Sequence, residues 1–266
     1  MTASPSAGDR GDDGLYGPGS VTWRVMARPE ILVGGFRAAY LQALHPRVMR
    51  GTWQHSSFAD PDEAWGRFLR TAEFVRVRTT GSLAEVARAG ARVRRIHAAL
   101  TGVDPDGTRF RLDEPELLTW VHCAEVTSYL DVVRRGGLPL SAAEADAFVA
   151  EQRRGAAVVG LDPAAVPGST ADLDGYLTAM RPRLRVTPEA RQALLRSLNA
   201  RIPMSRLPLR LAAPSIAALA FASLPRWARR MYGLPGLPVT DVAASAGMRA
   251  FHESLTRLPP GLLRAA

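Results

Sequence analysis

The chain contains no lysine and one cysteine, Cys123, among 266 residues. A single thiol forbids an intramolecular disulfide. The missing C-x-x-C and C-x-x-C-H patterns exclude zinc-ribbon spacing and covalent c-type haem attachment. A reducing compartment fits this usage. Other chemistries are excluded by motifs that do not occur. There is no Glu three residues before any His, so a ferritin-like di-iron bundle has no ligand set. H-E-x-x-H, G-x-S-x-G, G-x-x-x-x-G-K-[ST] and G-x-G-x-x-G are also missing, which removes zincins, hydrolase elbows, P-loops and Rossmann turns. Residues 1–20 (MTASPSAGDRGDDGLYGPGS) hold no apolar core and no twin Arg. They read as a mobile arm without an export signal, leaving 21–266 as one domain with a cytoplasmic location expected. The most apolar stretch, Leu211–Leu224, has 14 residues with Pro214 inside and Arg210 and Arg226 near its edges. It is too short to span a bilayer, so a buried helix is expected, with a membrane-surface contact as the alternative.

Aromatics make up only 7% and β-branched runs are scarce, while Ala, Leu and Arg dominate, which weights the chain towards helix. The formal charge is +9 and every basic residue is Arg, a one-sided choice that a GC-rich genome produces. These Arg residues read as scattered three or four apart on helices or near acids. They therefore predict solvated faces and ion pairs, with individual Arg available to ligand carboxylates, and no nucleic-acid partner. Helical periodicity and caps predict segments at 29–44, 61–78, 82–100, 113–135 and 141–159, then 169–181, 187–200, 211–231 and 240–257. Asp60 with Glu63, Ser82 with Glu85, Asp113 with Glu116 and Ser141 with Glu144 are the cap signals. His45-Pro46 interrupts the first segment. Residues 101–112 read as a loop or a short hairpin. The expected architecture is one all-α domain of eight to ten helices.

Four of the five histidines, His45, His55, His97 and His122, fall in the first half. Each alone is more often a satisfied core or surface residue than a ligand. Together they suit a large apolar cofactor between helices, since haem b needs one imidazole, an apolar slot and cations for two propionates. The 82–100 segment offers His97 among Val93, Ile96 and Leu100, preceded by Arg94 and Arg95. The 61–78 segment offers Arg67, Arg70 and Thr71, which share a face. Exposed, those three are an ordinary polar stripe; buried, they demand an anion or an oxygen ligand. His122-x-x-Glu125 would either orient the ring or form a surface pair.

The strings GPGSVTWRV, LQALHPRV, QHSSF, WGRFLRT, VRRIHAAL and LLTWVHCAEVTS, in this order, resemble the MpaB-like oxygenase family, whose catalytic domain is shared with the rubber oxygenases. The likeness runs from about Gly17 to Tyr129, and more weakly to about Pro235. It implies an all-α, globin-reminiscent bundle with non-covalent haem b. The distal Arg-x-x-Lys-Thr motif of rubber oxygenase is here Arg67-Phe68-Leu69-Arg70-Thr71, so a guanidinium stands where the relative has an amine able to cap iron. The resemblance implies His97 as the proximal ligand and His122 in the pocket wall. It implies His45 as a structural or propionate-facing residue and His55 as a pocket or loop-ordering residue, with Arg94 among the cofactor-binding set. The implied reaction is oxidation of a small apolar metabolite by O2, with Arg67 and Thr71 as distal hydrogen-bond donors and an unassigned electron donor. A haem sensor or carrier without turnover, and a metal-free helical scaffold, are the competing readings.

Overall fold

A computed structural model describes residues 12–55, 61–198 and 207–257. Among these residues the order is α1 (Val21–Met26), α2 (Ile31–Gln42), α3 (Pro46–Gln54), α4 (Pro61–Thr80), α5 (Leu83–Ala99), β1 (Thr101–Val103), β2 (Arg109–Arg111) and α6 (Pro115–Arg135). Then come α7 (Ala142–Val158), α8 (Thr170–Met180), α9 (Pro188–Leu198), α10 (Leu207–Ala222), α11 (Arg226–Met231) and α12 (Pro238–Thr256). β1 and β2 form an antiparallel hairpin with Gly102 opposite Phe110. The all-α expectation holds.

The boundaries follow local chemistry. Ser82 and Ser141 open α5 and α7 as full capping boxes: each hydroxyl accepts from the backbone N–H of the Glu three residues on, and each Glu side chain accepts from the Ser backbone N–H. Such a cap contributes about 1 kcal/mol. The expected Asp113 cap of α6 is not formed. Glu114 takes the N-cap position without a side-chain bond to the helix end, its carboxylate accepting from Arg111 N instead, while Arg111 engages Asp113 through both oxygens, at 2.8 and 2.6 Å. Pro115 in the first turn pre-sets the helical φ instead. The single helix expected over 211–231 is two: Pro225 forces the preceding residue out of the helical region, and α11 starts after it. The Asp60 cap lies outside the described residues.

α6 is the central helix. It lies along α2 and is flanked by α1, α3, α7, α8 and α12, with α10 over the other side of α2. Trp120, Cys123, Ala124, Val126, Val132 and Val133 are buried on it. Gly34 of α2 lets Tyr129 close in, since a Cβ there would meet that ring at 2.8 Å. Burial pushes the Cys123 thiol up to about 12, so it serves as an apolar filler. Two buried guanidiniums bind the carbonyls around the end of α10. Arg37 donates to Ser223 O at 3.2 Å, and Arg229 donates to Ala222 O and Leu224 O at 2.6 and 2.7 Å. Within the expected mobile arm, residues 12–20 are instead tied down: Tyr16 is buried against α7, and Asp12 accepts from Leu83 N. Residues 1–11 lie outside the described residues.

Candidate functional site

α4 and α5 form an antiparallel hairpin through a turn at Gly81-Ser82. Equal distances from that turn place the start of α4 beside the end of α5, so Arg67 and His97 are brought together. Arg67 accordingly acts on the His97 charge. On α5 the inward stripe is Val86, Gly90, Val93 and His97, at helical spacing. Val86 and Gly90 are buried, and Gly90 lets α5 meet α7: a Cβ would stand 2.8 Å from Val158. His97 therefore continues the face already turned inward.

The matching stripe on α4 is Arg67, Thr71, Phe74 and Arg78. Its far end is anchored. Arg78 is buried, pairs with Glu125 of α6 and has its guanidinium over the Phe74 ring at 5.7 Å. Burial opposes the Arg78 charge, but Glu125, Tyr16 and Tyr129 more than offset this and hold its pKa raised. On α6, His122, Glu125 and Tyr129 lie near the Arg78 charge, while Leu118 packs with Ala156, Leu161 and Val166. Along the α4 stripe Arg78 is buried, Phe74 and Arg67 are half-buried and Thr71 is exposed, as is the neighbouring Arg70. Arg78 and Arg67 stand eleven residues apart, about 16 Å along the helix. The α4–α5 hairpin thus forms a wedge fastened to α6 at Arg78–Glu125, with Arg67 and His97 at its far end. Apolar positions expected to be covered are not: Leu69 is 40% exposed and Ile96 45%.

The imidazole of His97 is suited to ligation. Its Nδ1 is buried and has no hydrogen-bond partner among the described residues. Burial lowers its pKa, Asp113 raises it and Arg67 lowers it further, so the net shift is down and the ring is neutral at pH 7. No three His, Cys, Asp or Glu side chains among the described residues come together as a metal cage. A bare ion therefore has no set of ligands here, whereas a metal carried by its own macrocycle needs one imidazole. Burial and the neighbouring Arg70 lower the Arg67 pKa, the signature of a cation short of solvent beside a like charge. An anionic, flat apolar group fits this donor set.

The other expected site residues have separate surroundings. Thr71 Oγ1 donates to Arg67 O at 3.0 Å, so its proton is held by its own helix. Arg94 donates to Val158 O at 2.7 Å, tying α5 to the end of α7. His45 caps α3 by accepting from Val48 N, and its Nε2 lies 3.6 Å from Glu116. His55 ends α3, with Nε2 2.8 Å from Thr101 O, and orders the β1 strand. His122 is buried, so it forms no surface pair, and among the described residues it is Arg78 that pairs with the Glu125 carboxylate. Burial and Arg78 drive its pKa down to about 3. Arg78 itself was not singled out from the sequence, although its position eleven residues after Arg67 puts it on the same stripe. A surface hollow of about 350 Å³ bordered by Pro18, Ser20, Trp23 and Arg24 shares no residue with the wedge.

Comparison with known proteins bears on this arrangement. The model of the family described as "ER-bound oxygenase mpaB/B'/Rubber oxygenase, catalytic domain" matches residues 23–256. Among solved structures, latex clearing protein in the closed state is similar in fold, with a TM-score of 0.62 and 18% identity, covering 91% of this chain and 70% of that one. No curated protein matches.

Proposed function

This chain belongs to the ER-bound oxygenase mpaB/B'/rubber oxygenase catalytic-domain family, and from that premise we propose a haem b-dependent oxygenase with His97 as the iron ligand. The observation that carries this reading is the neutral His97 ring, with an unpartnered buried Nδ1, at the mouth of a wedge that also holds Arg67. When bound, the haem activates O2 for transfer to an apolar substrate. His97 offers a lone pair without first losing a proton. Arg67 and Arg70 supply positive charge for porphyrin carboxylates or for a polar group of the substrate. Thr71 can accept a hydrogen bond while its hydroxyl donates to Arg67 O. With Arg70 in the motif, a neutral-amine cap over the metal is lost, because a guanidinium stays charged. His45, His55 and Arg94 order α3, β1 and the α5–α7 junction through the contacts described above, and His122 lies by the buried Arg78.

Ultraviolet–visible spectra of the wild type and of H45A, H55A, H97A and H122A, oxidised and reduced, test the reading. A Soret band in the wild type that is lost or shifted in H97A is expected. Colourless wild type after haem-supplemented expression, or an H97A spectrum identical to wild type, overturns it. Haem binding without O2 consumption under any reductant and apolar substrate assigns the protein as a sensor or carrier.

A further inference from the structure

The positive charge is not spread evenly. Residues 190–240 hold eight Arg and no acid, which leaves 26 Arg against 25 acids in the rest of the chain. Most of the net +9 therefore belongs to the segment running from α9 through α11 to the start of α12.

The same region carries the most exposed apolar surface described. Leu234, Leu237, Val239 and Val242 are 51%, 49%, 66% and 69% exposed, within nine residues. On α12 the inner stripe is Ala244 and Met248, both buried. The opposite face presents Val239, Val242, Ala246 and Ala250, all exposed and at helical spacing. The helix is thus apolar on both sides of its first turns, and only one side meets the core. Leu234 and Leu237 extend the outer stripe into the preceding turn. The base of that turn is cationic: Gly236 lies against Arg226 and Arg230, and a Cβ on it would meet both at 3.0 Å. Asp241, the nearest acid, is neutralised by Arg226 and Arg229 at 2.6 and 2.7 Å. Arg230 and, farther along the outer face, Arg249 are exposed.

Aliphatic side chains pointing outward from a ring of guanidiniums match acyl chains beneath an anionic headgroup layer. Among the described residues no helix is long and apolar enough to cross a membrane, so the fit is to a surface. We propose that the 234–250 face, framed by Arg226, Arg230 and Arg249, is a peripheral docking site for an anionic lipid surface. Leu234, Leu237, Val239 and Val242 would enter the interface while the guanidiniums pair with headgroup phosphates. This stands independently of the cofactor.

Co-sedimentation with vesicles of phosphatidylcholine alone, or with 30% phosphatidylglycerol, tests it. The wild type is expected to bind the anionic vesicles and to release at high salt. V239D/V242D should bind at least about tenfold more weakly, since two exposed aliphatics leave the interface and two like charges face it. R230E should weaken binding less and flatten the salt dependence. Circular dichroism checks the fold of each variant, which substitutions at exposed positions should preserve. Absence of wild-type binding to either vesicle, or equal binding by V239D/V242D, overturns the proposal. Light scattering adds one more outcome: concentration-dependent dimers abolished by V239D/V242D, with no vesicle binding, would assign the face to a second copy of the chain instead.

Discussion

α2 with α6, and α4 with α5, are both antiparallel helix pairs, yet they are built to opposite ends. α6 buries most of its length, including Trp120 and Cys123 at 0% exposure. α5, nearly as long, buries Val86 and Gly90 and leaves Ile96 outside. The first pair is a core that specifies itself. The second is fastened at one end, through Arg78, and left open at the other, where the neutral imidazole and paired guanidiniums gather. A site needing room for a large guest belongs on the pair with unspent apolar surface, because such surface gains by being covered.

The comparison can be broken most strongly from the α6 side. Trp120→Ala should cost about 3–5 kcal/mol in denaturant unfolding, since a fully buried indole and its bond to Gln42 O are lost. Arg78→Ala should cost about 3 kcal/mol by leaving Glu125 without its cation, and the double variant with Glu125→Gln should recover part of that. Its effect should also spread along α4, read as faster amide exchange from Thr71 to Arg78 but not in α2.

His122 sharpens the contrast through pH. Its folded pKa of about 3 lies below the ordinary histidine value, so the unfolded chain binds the proton first. The native state then loses stability as pH falls below about 6.5, by about 2 kcal/mol at pH 5. His122→Gln should flatten that acid limb in unfolding titrations. The smallest effect is expected at the open end, where Ile96→Ala should change apoprotein stability by about 0.5 kcal/mol or less. If Ile96→Ala cost as much as Trp120→Ala, the hairpin would be core and the wedge no site.

Much of this layout was legible in the chain. The Ser82 and Ser141 boxes fixed two helix starts because a cap is a local contract between residues three apart. Arg67 and His97 were each legible as candidates, and the α4–α5 hairpin then brought them together. What escaped was tertiary. Asp113 looks like a cap in isolation, and only the approach of Arg111 shows why it is not. Arg78 reads as one Arg among many until Glu125 arrives from a helix 47 residues away. The short α1 and α3 span too few turns to show a period. Pro225 carried a visible break, but the long apolar run before it masked the stop.

The deeply enclosed thiol has a practical consequence. With Cys123 sealed and no ε-amine anywhere, the chain offers conjugation chemistry almost no handle of its own. A cysteine introduced at Leu69, Ile96 or Ala246 would stand as the single addressable thiol on a native background. Paired spin labels at 69 and 96 could then follow the hairpin as it accepts or releases a guest, with no prior residue to remove.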